Sequence, residues 1–256
     1  MRAARALSFL PKLPRLADNV TMTRRSENWS RLLPWLPLVA ASICVAFGAS
    51  FDQDTPRKTT EASDAPWQSM FDGKTLKGWK LAEFPGNGEV RVSDGAIILG
   101  RSYLTGVNWT GSFPKSNYEI RYEAARITEG DFFAALTFPV NDSFCTFING
   151  GWGGMLVGLS SLDGQDASEN ETNQSFDFVR GRWYEFHLVV NTDRIRVWID
   201  QKPVIDVYIG DRQVDLRPGE IEFSKPLGFA SYSTVGAIRK VEYRPVPPPA
   251  SAAKPQ

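Results

Sequence analysis

From Val90 to Arg244 apolar residues recur at every second position and almost nowhere at helical spacing, and this period decides most of what the chain can become. Successive side chains of a strand point to opposite faces, so Tyr118, Ile120 and Tyr122 share one face while Glu119, Arg121 and Glu123 share the other. Trp183–Val190 repeats the pattern, with Tyr184, Phe186, Leu188 and Val190 opposite Glu185 and His187. Arg194–Ile199 alternates as well, and the Asp200, Gln201, Lys202 turn leads it into Val204, Ile205 and Val207 as a hairpin. Val90–Val92, Ala96–Leu99, Phe132–Phe138, Met155–Leu159, Leu227–Ser231 and Ala237–Tyr243 add further strands between Gly, Pro, Asn and Asp clusters. Many strands joined by short turns predict an all-β protein in which two antiparallel sheets bury their apolar faces against each other, with a jelly roll as the preferred arrangement.

The chain has 256 residues, and 31 of these, Phe, Trp and Tyr together, supply large side chains for such a core. Residues 1–31 carry seven Arg or Lys and two acids, a basic segment. Residues 32–51, LLPWLPLVAASICVAFGASF, carry no charge and predict an apolar helix. With Arg24, Arg25 and Arg31 before it and Asp52 and Asp54 after it, that helix reads as an export signal or a membrane anchor that sends the remainder out of the cytoplasm. Cleavage after Ser50 and retention as an anchor both stay open, and Met22 offers an alternative start that would give a short charged n-region. Residues 52–66 read as a polar tether and residues 245–256 as a Pro-rich tail. One domain, residues 67–244, lies between them.

The charge excludes one class of partner. There are 29 basic and 29 acidic residues, and removing the N-terminal segment leaves a mildly acidic remainder, which gives no clustered positive surface for nucleic acid. One histidine and two cysteines cannot build the usual zinc sites. Cys44 lies in the apolar run, so Cys145 has no disulfide partner in the domain. The expected membrane contact is confined to residues 32–51.

Two constellations stand out as candidate sites. Asp163, Asp166, Glu169 and Glu171 fall in one Gly-, Ser- and Asn-rich loop, which suits acid and base work or simply a solvated acidic loop. Trp152 stands among glycines in GGWGG, where an indole can be presented to stack on a pyranose ring or else be buried at a close approach of two backbones. On the strands, His187 is a candidate base, and Glu185, Arg196 and Trp198 would join it in a polar and aromatic patch suited to a glycan. The same pattern equally describes charges paired across an exposed sheet.

Five segments carry a family resemblance. MFDGKTLKGW at Met70–Trp79, VSDGAIILG at Val92–Gly100, SNYEIRYEAARI at Ser116–Ile127, GRWYEFHLVVNTDRIRVWIDQKPVIDV at Gly181–Val207, and PLGFASY followed by AIRKVEYRPV resemble, in that order, the 3-keto-disaccharide hydrolase domain, also described as a 3-keto-glucoside lyase and hydratase domain. The resemblance implies a concanavalin A-like jelly roll acting on 3-keto-glucosides. The ketone would acidify the C2 proton, a base would remove it, the glycosidic oxygen would leave, and water would add to the enone. That chemistry calls for a base, an acid and a group to polarise the ketone, with a divalent cation as one option and no ligand set named. Where many members carry Glu, Gln and Asp, this chain reads GGMLVGLSSLDG and keeps Asp163 alone, and near its end GFASYSTVG lacks the family's histidine. A non-catalytic carbohydrate-binding module and a surface interaction domain are the alternatives.

Overall fold

The computed structural model describes residues 65–248, so the expected apolar helix and basic segment, with most of the tether and tail, lie outside the described residues. Within them the protein is all-β, with two antiparallel sheets and almost no helix. Among the described residues no helix is long and apolar enough to cross a membrane.

The first sheet, sheet A, has eight strands. Across it lie Lys202–Tyr208 (β13), Arg194–Ile199 (β12), Trp183–Val190 (β11), Tyr118–Arg126 (β6), Gly236–Pro245 (β15), Ala96–Leu99 (β4) and Val90–Ser93 (β3), with Gln68–Ser69 (β1) also paired to β15. Sheet B orders Gln174–Ser175 (β10), Leu156–Ser160 (β9), Ser143–Gly150 (β8), Ala135–Val140 (β7), Gly228–Tyr232 (β14), Leu104–Trp109 (β5) and Trp79–Leu81 (β2). The core lies between the sheets. Tyr122 stacks on Phe186 of the neighbouring strand at 5.1 Å and meets Phe229 of sheet B edge-on at 4.8 Å, so aromatic rings join the two layers. Phe186 is fully buried, and its replacement by alanine would cost about 3–5 kcal/mol.

The opening motif pins the chain to this core. The Asp72 carboxylate accepts hydrogen bonds from the Thr75 and Lys74 amides and the Thr75 hydroxyl, which close a turn and pull its pKa down to about 2. The turn returns Trp79 to the core, where its indole N–H donates to the Met70 carbonyl at 2.8 Å.

Besides the two- and three-residue strands β1, β2 and β10, the longer strands β5 and β8 are absent from the sequence reading. Neither shows a wet face, because both are covered on the outer side as well as the inner. Gly106 in β5 is needed there, since a Cβ would press on the Phe229 carbonyl and the Phe84 ring. The strand expected over Phe132–Phe138 begins at Ala135, and Phe132 instead borders a cavity. In β15 a bulge between Arg239 and Glu242, with Lys240 at φ 50°, breaks the alternation. Arg239 and Lys240 therefore both reach Glu123, at 2.7 and 2.6 Å.

Candidate functional site

The outer face of sheet B is covered by loops that leave a cavity of about 400 Å³. Thr146 and Ile148 of β8, Ser160 of β9, Leu104 of β5 and Tyr232 of β14 line it from the sheet, because they alternate with core residues such as Phe147 and Leu159. Trp152, Asp131 and Phe132 border one part, and the segment from Arg217 to Ile221 borders another.

Trp152 is 47% exposed and sits at φ 50°, ψ 51°, the left-handed conformation that a bulky residue seldom adopts. The four-residue helical turn Gly151–Gly154 carries it, and the Gly153 amide donates to the Asp131 carboxylate at 2.8 Å. The indole therefore stands exposed at the cavity rim on a strained backbone, rather than buried at a close approach of two backbones.

Asp166 lines the same cavity. Its Oδ1 accepts from the Ser160 hydroxyl at 2.5 Å and the Ala167 amide at 2.7 Å, and its Oδ2 pairs with the Arg217 guanidinium at 2.8 Å. Arg217 in turn stands 5.9 Å from the Trp152 ring centre. The carboxylate, the guanidinium and the indole thus form one connected group. Glu220 enters the cavity lining from the short 3-10 helix Glu220–Ser224, and its Oε2 is buried without a hydrogen-bond partner.

The other acidic loop residues have structural partners. Asp163 and Glu171 both pair with Arg212, whose guanidinium holds both carboxyls below their ordinary values. The Asp163 backbone and carboxylate also receive the Gln213 segment, so this ion-paired group fastens the segment that carries Arg217. Glu169 caps the loop by accepting from the Asp166 amide at 3.2 Å.

His187, Glu185, Arg196 and Trp198 lie on the outer face of sheet A, on the far side of the sandwich from the cavity. The register sets His187 beside both Trp198 and Arg121. The His187 ring stacks on Trp198 at 5.2 Å, and its Nε2 lies 2.6 Å from the Glu119 carboxylate. Glu119 also takes an ion pair from Arg244. Burial pushes the Glu119 carboxyl up, and the bonds from His187 and Arg244 outweigh it to leave the group below its ordinary value. Arg121 and Arg244 lie over the Trp67 ring at 4.1 and 4.5 Å. The polar and aromatic patch is therefore assembled, with its charges turned toward one another. Arg196 donates to Asn191 at 3.3 Å, and Glu185 remains exposed with its amide bonded to Asp200.

Among the described residues no group of three or more His, Cys, Asp or Glu side chains is placed to hold a metal ion, so the residues present do not fit one. Cys145 is a buried free thiol whose pKa is pushed up to about 12 by that burial.

The sequence reading passes over Arg217, Glu220 and Asp131. One signal was available. Between the last residue of β13, Tyr208, and the first of β14, Gly228, runs a long connection without alternation that contains Arg217-Pro218-Gly219-Glu220, and loops of that length are usually functional.

A comparison with curated proteins returns no match. Solved structures with similar folds include the carbohydrate binding module CBM66 from Bacillus subtilis, at 14% identity and TM-score 0.47, covering 69% of this chain and 99% of that one. A sialidase aligns at 12% identity and TM-score 0.48 over 72% of this chain and 19% of its own. Domain 4 of AbnA, an extracellular arabinanase from Geobacillus stearothermophilus solved with arabinotriose, aligns at 12% identity and TM-score 0.44 over 66% of this chain and 82% of that one. The profile of one family matches residues 66–245, nearly all of the sandwich, and by that match the chain belongs to the 3-keto-alpha-glucoside-1,2-lyase-like domain family.

Proposed function

We propose that this carbohydrate-related domain binds a 3-keto-glucoside in the cavity of sheet B and cleaves its glycosidic bond by elimination followed by hydration. One observation carries the reading: Asp166 and Trp152 line the same cavity and are bridged by Arg217, which comes from a loop much further along the chain. Trp152 offers an apolar face to the C–H side of a pyranose ring. Arg217, with five N–H donors and a fixed charge, suits the C3 oxygen as it gains negative charge.

The steps balance between two carboxyl groups. Asp166 takes the C2 proton, and the electrons of that C–H bond form the enolate held by Arg217. The enolate collapses to the C1–C2 double bond as the C1–O bond breaks, and Glu220 gives the departing oxygen its proton. In hydration, water adds its oxygen to C1, its proton goes to Glu220, and Asp166 returns a proton to C2. Each carboxyl group ends as it began. No step passes through a metal. The strand order suits the jelly roll of concanavalin A-like type that the resemblance implies. We also assign export to residues 32–51, which a reporter fused after residue 66 and assayed outside the cytoplasm would check.

The test is incubation of the full chain with 3-keto-trehalose, with and without divalent cation. Release of free glucose, lost on Asp166→Asn, is the expected result. Saturable binding without release would replace the reading by a carbohydrate-binding module, and neither binding nor release would remove the sugar from it.

A further inference from the structure

We infer that Arg126 is the positioning residue that sets the Trp152 indole over the cavity. This deepens the proposed function and rests on it for its link to the sugar. Arg126 ends β6 of sheet A, on the inner face that Tyr118, Ile120, Tyr122 and Ala124 also occupy. It crosses the sandwich to the loop that bears Trp152.

The residue is only 7% exposed, and its guanidinium is a fork between two loops. One arm donates to the Gly154 carbonyl at 3.0 Å, and the other donates to the Phe178 carbonyl at 2.6 Å. Gly154 ends the turn that carries Trp152 and lies at φ +107°, where a Cβ would overlap the Arg126 guanidinium. Phe178 packs edge-on against Phe133 at 5.0 Å and against Tyr184 at 5.1 Å, so the second arm is tied to the core. The nearest acid is Glu129, at 3.6 Å and largely exposed. With no close buried acid beside it, the guanidinium is held mainly by carbonyls, an arrangement that suits fixing a loop.

Trp152 is thereby held from two directions. Asp131 bonds the Gly153 amide from the cavity side, and Arg126 bonds the Gly154 carbonyl from the interior. Two hydrogen bonds to consecutive residues hold the backbone in the left-handed conformation that an indole would otherwise leave. Because Arg217 lies near the indole, moving Trp152 would also disturb the partner of Asp166. Lysine cannot substitute, since its single ammonium head lacks the planar fork that reaches two carbonyls.

The experiment compares Arg126→Lys, Arg126→Met and Gly154→Ala in the full chain, each with and without Trp152→Ala. The first readout is the indole N–H resonance of Trp152, assigned by its loss in Trp152→Phe. All three single variants should shift and broaden that signal while the other indole signals hold. The second readout is affinity for 3-keto-trehalose. Arg126→Lys should weaken it roughly tenfold when Trp152 is present and leave it unchanged in the Trp152→Ala background. An unmoved Trp152 resonance in folded Arg126→Lys would overturn the inference, as would an equal affinity loss with and without the indole. If Arg126→Met does not fold, Arg126→Lys and Gly154→Ala decide the matter. If the wild type binds no sugar, the proposed function fails while the resonance still decides the positioning role.

Discussion

The two outer faces of the sandwich are built from similar alternating strands and end in opposite conditions. On sheet A the outward charges of the two central strands β6 and β15 pair across the register: Glu119 with His187 and Arg244, Glu123 with Arg239 and Lys240, and Arg121 with Glu242 at 2.7 Å. Its tryptophans are covered by guanidinium groups, Trp67 by Arg121 and Arg244, and Trp183 by Arg239 at 4.0 Å. On sheet B the outward residues are shorter, and the covering is left to loops. There Trp152 stays exposed, and Glu220 keeps a buried oxygen without a partner. A sheet face whose polar groups satisfy one another has little left to offer a ligand. A face covered by loops can keep its polar groups for a substrate.

The contrast is broken most strongly at Asp166. Asp166→Asn should lower turnover of 3-keto-trehalose at least about a hundredfold, the scale of removing a proton-transfer group, while the melting temperature moves little. His187→Ala, on the other face, should leave turnover within about twofold. Equal losses from the two would dissolve the distinction between the faces.

Glu119→Ala probes the paired face from the opposite side. It leaves His187 and Arg244 facing an absent partner in a mostly buried position and should cost about 3 kcal/mol of stability in denaturant unfolding, with the sugar affinity kept. The pH dependence has a definite sign. The folded Glu119 value lies below the unfolded one, about 4.3, so its contribution is complete above that value and is lost as the pH falls through the lowered folded value. Glu119→Gln should flatten stability against pH in that acid window.

Smaller effects sharpen the comparison. Trp152→Ala should weaken sugar binding roughly tenfold, whereas Trp198→Ala should leave it unchanged, as measured by titration calorimetry. The smallest expected signal belongs to Cys145. With its pKa pushed up to about 12 by burial, the native thiol should stay unlabelled by iodoacetamide at pH 8 and label on unfolding, as mass spectrometry would report.

Much of this was legible in the order of residues, and some of it was not. Trp183–Val190 and Arg194–Ile199 coincide with the strands expected for them, because each has one face in the core and one toward water. Leu104–Trp109 and Ser143–Gly150 went unread because loops bury their outer faces and erase the alternation. The bulge at Lys240 was hidden for a related reason: which residues face one another depends on the neighbouring strand, which lies far off in sequence.

The candidate site divides along the same line. The GGWGG segment and the acidic loop could be marked from residue type alone, since glycine-rich backbone and clustered carboxylates are local properties. Which carboxylate faces the cavity could not. Asp163 and Glu171 belong to Arg212, while Asp166, three residues after Asp163, belongs to Ser160 and Arg217. The order of residues determined a two-layer β sandwich, because a two-residue period of apolar side chains is satisfied only when strands pair and stack. Only the tertiary structure decided which layer holds the cavity, because that depends on where the loops at 127–134, 151–154 and 209–227 come to rest against it.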